Sequence, residues 1–466
     1  MDSTSHLVED KSKKFPMIFF IFLAFLIVDV VISNVALNTT AENISSTPWI
    51  TILVTLTAVF GLAQFFLLRF LKENSKDIRS KNTLLHRSYY VVEITQYLLF
   101  GILLVTCLQI IVTSNYMTFF LMLSNTISLG LATAILMILS WLFLRWSKTN
   151  KNFVVLLYGL SSVAVIVNMI LTLLFADLAL LQIPSIRTPQ SEEKFLFFDP
   201  NSAVGSIQLL YAMSAVVYFI LLWVSTAFLL HNYSQRMGKA KFWAIVIFPL
   251  ASFIIQFLVV IPYWALNPQQ NIIYVVLGQT LPGLASGVLF AIPYWTIARS
   301  MRPTAVSNYM IIAGIGIILF QFSTTAGIFW GPYPVFGLYS VSTTGLSCFF
   351  LLIGIYCSAI SAAHDSSIRR RINKTIIHES EMLGSIGAAE MEQTLLKKVT
   401  GIVRDNANQF YEETGVQPSL TDQEMESYVH QAITEVKKIG THQRADRHHQ
   451  EKSKDDFFKR RNRDAE

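Results

Sequence analysis

Charge is what this chain has least of. Lys, Arg, Asp and Glu make up 14% of its 466 residues, against roughly a quarter in a soluble globular domain, which excludes an ordinary water-soluble fold. Cysteine is almost missing as well. The three present, Cys107, Cys348 and Cys357, lie in apolar stretches without Cys-x-x-Cys spacing or a nearby His, which excludes a disulfide framework and a thiolate metal site. The short catalytic motifs are also absent: there is no His-Glu-x-x-His, no Gly-x-Ser-x-Gly and no phosphate-binding loop. Gly283-Leu284-Ala285-Ser286-Gly287 comes nearest, yet no His or Lys lies deep in the apolar segments to take a proton from Ser286, so helix packing through small residues accounts for it better. The expectation is a protein that is not an enzyme and carries neither cofactor nor metal.

What the chain does have is apolar length. Hydrophobic residues reach 53%, Phe alone numbers 34, and the mean hydropathy is +0.48. Segments of about 20 apolar residues, enough to cross the bilayer core as a helix, recur from Pro16 to Ala362. They predict an all-α polytopic bundle with ten membrane helices at 16–38, 48–70, 89–113, 116–144, 153–181, 203–230, 241–265, 272–298, 305–330 and 338–362. The first follows Lys11, Lys13 and Lys14 and has no evident cleavage site, so it reads as a retained anchor.

Lys and Arg test that count independently, because cytoplasmic connections hold their excess. With residues 1–15 inside, the inner segments carry Lys11, Lys13, Lys14; Arg69, Lys72, Lys76, Arg79, Lys81, Arg87; Arg145, Lys148, Lys151; Arg236, Lys239, Lys241; and Arg299, Arg302. The outer connections carry only Arg187 and Lys194. A miscounted helix would exchange the sides partway along and erase the contrast. The prediction is a multi-pass protein of the cell membrane with both termini cytoplasmic, a helical membrane domain over 16–363 and the lipid bilayer as its first partner. Charge bias of this kind reflects sidedness and does not call for nucleic acid.

Residues 364–466 are water-soluble in composition, with 17 Lys+Arg against 18 Asp+Glu. Within 364–440, Leu383, Ile386, Leu395, Val399, Ile402 and Val403 recur at helical spacing up to Gly415. A second amphipathic helix starts at Thr421, where Glu424 completes a capping box. Two such helices need a surface to cover their apolar faces, so residues 380–440 are expected to bind a protein partner or to self-associate. Residues 441–466 are dense in charges of both signs and are expected to be disordered.

Polar side chains inside the spans are the remaining candidates for function, since each is costly in lipid. Asp29 is the deepest acid. Asn125, Gln256, Gln279 and Gln321 fall about seven to nine residues, or about 10–13 Å, from the outer ends of their helices. Together with Asp29 they predict a ligand-binding polar layer in the outer half of the bundle; simple interhelical hydrogen bonding is the plainer reading. Pro282-Gly283 predicts a helix break nearby, as in discontinuous transporter helices. Asn38-Thr39-Thr40 and Asn43-Ile44-Ser45 are possible glycosylation acceptors in the first outer loop. The stretch Ile-Pro-Tyr-Trp occurs twice, at 261–264 and 292–295, on opposite sides of the membrane in this topology; the repetition reads as aromatic-belt composition at helix ends.

The run Gly331-Pro332-Tyr333-Pro334-Val335-Phe336-Gly337-Leu338, the exit Gly354-Ile355-Tyr356-Cys357-Ser358-Ala359-Ile360-Ser361, then Arg369-Arg370-Arg371-Ile372 and Ile386-Gly387-Ala388-Ala389-Glu390-Met391-Glu392 resembles a group of multi-spanning membrane proteins of archaea. The resemblance covers roughly 325–395 and implies no activity. Two functions stay open: a membrane sensor or scaffold whose outward polar pocket biases the cytoplasmic helices, and a secondary transporter of a small solute or ion with its site in the outer half.

Overall fold

A bilayer offers no water to the backbone, so apolar runs within it must satisfy their own amides as helices. The computed structural model describes residues 19–29, 32, 47–79, 82–113, 115–181, 186–187, 202–231, 238–256, 281–301, 304–324, 337–365, 381–414, 424 and 431. Among these the helices are α1 (Phe19–Asp29), α2 (Thr47–Asn74), α3 (Lys76–Arg79), α4 (Thr83–Thr113), α5 (Thr118–Thr149), α6 (Phe153–Leu181), α7 (Ala203–His231), α8 (Lys239–Ile255), α9 (Leu281–Ser300), α10 (Ala305–Ser323), α11 (Leu338–His364) and α12 (Glu381–Thr414).

A helix lies within each of the ten predicted windows, and seven of them, α2, α4, α5, α6, α7, α10 and α11, are long and apolar enough to cross a membrane. In the other three windows the described helices are shorter or less apolar. Pro249 lies inside the 17-residue α8, while the 20-residue α9 holds Pro293 and ends with Arg299 in its last turn. Side chains cap the starts of several helices. Asn82 Oδ1 accepts from the Leu84 amide at 3.0 Å, Asn152 Oδ1 from Val154 at 2.9 Å and Ser202 Oγ from Gly205 at 3.0 Å, each taking up donors that a helix start leaves free.

Among the described residues, the one departure from all-α structure is a pair of two-residue strands, β1 (Tyr116–Met117) and β2 (Ile186–Arg187), antiparallel with Tyr116 opposite Arg187. It ties the α4–α5 connection to the connection after α6 and so places both at one end of the bundle. Two residues are too few for a periodic sequence signal.

Packing builds a ring. Helix α6 lies against α5 and α7, α5 against α11, α11 against α10, α10 against α9, and α9 against α7. Helix α8 flanks α7 and α9; α4 lies on α5 and α11, and α2 on α4. Large apolar side chains remain exposed on the perimeter, among them Leu62, Ile94, Val112, Leu209 and Met213. A water-soluble monomer rarely exposes so broad an apolar face, whereas lipid tails accept one.

Helix α11 is the best-covered element, buried almost without interruption from Leu338 to Ala359. Glycine makes that possible. A Cβ placed on Gly316 of α10 would lie 2.7 Å from the Leu351 amide nitrogen, and one on Gly354 of α11 2.5 Å from that of Ala313. Small residues here let two backbones approach, the usual basis of helix association in lipid, where the hydrophobic effect gives no preference. On the side toward α1 and α2, Phe22, Phe25 and Phe60 gather near Tyr339, whose ring centroid is 5.6 Å from that of Phe25 and 5.4 Å from that of Phe60.

The chain divides into two units, residues 1–387 and 388–466. The described part of the second is the remainder of α12, which exposes Leu395, Val399 and Ile402. Helix α12 matches the first predicted tail helix. Of the second, only Glu424 and Gln431 are described, both helical; the segment 441–466 lies outside the described residues.

Candidate functional site

Asp29, the deepest acid, lies in the last described turn of α1 and is fully buried. Its two carboxylate oxygens accept the Gly337 amide at 2.8 Å, the Ser340 amide at 3.1 Å and the Ser340 hydroxyl at 2.7 Å. Gly337, with φ 90°, is the N-cap residue of α11 and makes no side-chain cap of its own. Glycine tolerates that left-handed conformation but brings no oxygen to the orphan donors. Asp29 supplies it from another helix, and the positive end of the α11 dipole favours the carboxylate there. Asp29 thus has three hydrogen bonds within the protein.

The positions of the other predicted residues follow from helix phase, at about 100° per residue. On α10, Gly316 faces α11 while Gly314 and Ile318 face α9, packing on Trp295 and Gly287. Gln321 shares the α9 contact, its Cβ 3.4 Å from where a Cβ on Gly287 would stand, at the edge of that contact nearer the ring interior. On α11, Gly345 meets Leu131 of α5, and Gly354 meets Ala313 of α10; Thr344 lies between, also turned inward. On α5, Ser128 bonds the Val341 carbonyl of α11 and Ser140 the Gly159 carbonyl of α6, which turns Asn125 inward as well. Gln321 is 3% exposed, and its Nε2 has no hydrogen-bond partner; Thr344, 1% exposed, leaves its hydroxyl unpaired.

These residues do not form a single layer. Leu131 beside Gly345 and Ala313 beside Gly354 set the relative heights of α5, α10 and α11. Gln321 and Thr344 share a level, and Asn125 lies about 8 Å nearer the Asp29 end at 1.5 Å per residue. There Asn125 is buried with its Nδ2 unpaired, and the adjacent Thr126 hydroxyl is 3.2 Å from Asp177 Oδ2 of α6. Deeper in the ring, Tyr158 of α6 and Tyr294 of α9 approach to 6.3 Å between centroids, beside Thr226 of α7. Polar groups therefore stand at three successive depths inside the ring.

Gln256 is half-buried at the end of α8, a helix outside the ring, and does not join this file. Gln279, Asn38 and Asn43 lie outside the described residues. Pro282 and Gly283 occupy the first turn of the described α9, and the Ser286 hydroxyl bonds the Pro282 carbonyl at 2.7 Å. That bond ties Ser286 to its own helix, in keeping with a packing role.

Sequence reading passed over a second set of amides nearer the other end. Gln64 Nε2 of α2 donates to Gln96 Oε1 of α4 at 2.5 Å, and Gln96 Nε2 donates to the Ser342 carbonyl of α11 at 3.2 Å. Asn168 of α6 donates to Ser214 of α7 at 2.9 Å. Depths counted from the inner helix ends, as they were from the outer, bring out Gln64 and Gln96. The aromatic-belt reading also needs a correction. Trp141 and Trp243 are exposed, but Trp146 is fully buried and stacks on Tyr356 at 6.4 Å, while Trp295 packs its indole on Gly314. Trp223, inside α7, donates to the Val246 carbonyl of α8 at 2.9 Å. Residues 261–264 lie outside the described residues.

At the end opposite Asp29 the start of α12 is fixed to the bundle. Asn150, after α5, donates to the Ser385 hydroxyl at 3.1 Å and its carbonyl at 3.3 Å. Gly387 lies against Ala362 of α11, and Met382, Leu383 and Ile386 are buried. Among the described residues, no group of three or more His, Cys, Asp or Glu is placed to hold a metal.

No family model matches the chain, and no curated protein or solved structure shows significant similarity to it.

Proposed function

We propose that the chain is a ten-span protein of the cell membrane, with both termini in the cytoplasm, that acts as a sensor or scaffold: occupancy of the polar ring interior biases the cytoplasmic helices of 380–440, which engage a protein partner or a second copy. Binding and not catalysis is its mode, and neither nucleic acid nor a cofactor takes part. The observation that carries this reading is the attachment at residues 381–387. Helix α11 begins at the Asp29 cap and ends beside Gly387, so one continuous, close-packed helix links the outer polar region with the root of the tail. Coupling between sites needs an element that both can bias, and α11 runs from one to the other, with α5 beside it.

The test is hydrogen exchange on full-length protein in vesicles. Ser340→Ala removes one bond at the outer end of α11. A sensor requires faster amide exchange at 381–387, about 40 Å away along a 27-residue helix. Confinement of the change to the outer end of α11 sinks the proposal. The second reading, a transporter of a small solute, is favoured by the polar file inside the ring; solute uptake into the same vesicles with an undisturbed tail would establish it instead.

A further inference from the structure

Buried polar atoms almost always find a partner, so those that lack one mark what the fold leaves for something else. Thr344 contrasts with Thr343 and Ser347, although Ser342 on the same helix also leaves its hydroxyl unpaired. Thr343 donates to the Tyr339 carbonyl at 2.8 Å and Ser347 to the Thr344 carbonyl at 2.7 Å. A serine or threonine in a membrane helix always has such a carbonyl within reach, yet the Thr344 hydroxyl takes none. The same contrast holds on α10, where Ser323 bonds the Phe320 carbonyl and Thr324 the Gln321 carbonyl, while Gln321 Nε2 stays unpaired. The two groups sit at one level on adjacent helices and complement each other chemically, but they do not bond. A third group that bridges them satisfies both.

Charge decides what that group is. Asp29 spends both oxygens on Gly337 and Ser340, Asp177 faces Thr126 of α5 at another depth, and no Lys, Arg, Asp or Glu of the described ring helices lies at the level of Gln321 and Thr344. An ion there would lack a counter-charge in a low-dielectric setting. The Gln321 amide offers two N–H donors and the Thr344 hydroxyl one more. We infer that Gln321 and Thr344 form a binding site for an uncharged molecule that presents a carbonyl or hydroxyl oxygen to them. This deepens the pocket of the sensor reading and rests on it for function, but not for binding.

The test uses purified full-length protein, with Gln321→Met and Thr344→Val as near-isosteric variants and Gln64→Met as a control whose amide is bonded. Unpaired groups cost stability, whereas bonded ones supply it. Gln321→Met and Thr344→Val should therefore keep or raise the thermal midpoint, and Gln64→Met should lower it. Acetamide and erythritol probe entry from water, a short-chain benzoquinone entry from lipid, and acetate and tetramethylammonium serve as charged controls. A dose-dependent rise with one uncharged set, lost in Gln321→Met and Thr344→Val, supports the site and names the route. The inference is overturned if these two variants lower the midpoint like Gln64→Met, if the charged probes shift it equally, or if no uncharged probe shifts it. Binding with an unmoved tail leaves the site standing and removes the sensor reading alone.

Discussion

Asp29 was recognisable in the sequence as a costly acid in a membrane span, but not as a cap. The residues it serves, Gly337 and Ser340, lie 308 and 311 positions later, and no local pattern spans that distance. The physical clue is the N-terminus of α11 itself: a helix that starts with Gly337 has amide donors and no side-chain acceptor. Asp29→Ala should lower stability by about 3 kcal/mol, because charged hydrogen bonds contribute about 1.5–3 kcal/mol and three donors are left buried. Asp29→Asn, which keeps one acceptor oxygen, should cost about half of that. Chemical denaturation in detergent measures both, and a loss within error of zero would remove the capping role. Gln321 and Asn125 are both buried, as polar groups in lipid turn toward protein; their difference in height depends on how α5 and α10 slide against α11, which sequence does not record.

At the scale of elements, the ten apolar windows each contain a helix because backbone self-satisfaction leaves no other solution in lipid. Which helices touch was not legible, since apolarity all round hides the packed face. Glycines give the best retrospective clue. Gly316→Ala and Gly354→Ala each push a methyl into facing backbone and should destabilise by about 1–3 kcal/mol. Gly101 and Gly130 have open space around a Cβ, and their Ala variants should be neutral or up to about 1 kcal/mol more stable. Thermal unfolding of the four variants tests the α10–α11 contact directly; equal losses at all four would mean that helix propensity, not close approach, sets the effect. On the other face, Asn150→Ala should speed exchange at 382–387 by about five- to tenfold through loss of about 1–1.4 kcal/mol of hydrogen bonding, without lowering the midpoint of the bundle.

For the whole molecule, the positive-inside pattern and the β1–β2 pair make a joint prediction. Asn115→Cys and Arg187→Cys should react with an impermeant thiol reagent from the same side of sealed vesicles, and Lys76→Cys and Lys148→Cys from the opposite side. The native Cys107, Cys348 and Cys357 are buried and should stay silent in intact protein, so no cysteine-free background is needed. Labelling of Asn115→Cys and Arg187→Cys from different sides would contradict the ladder between them.

The cap on α11 also sets an order of assembly. Helix α1 leaves the ribosome first among the described helices, and the donors for Asp29 are made 308 residues later, a delay of about 15–60 s at 5–20 residues per second. Through that interval the carboxylate must stay at the membrane surface, take up a proton, or be sheltered by the insertion machinery. The first span can settle at its final depth only when the last one arrives, and a ribosome stalled before Gly337 would leave a bundle with an unpaired acid.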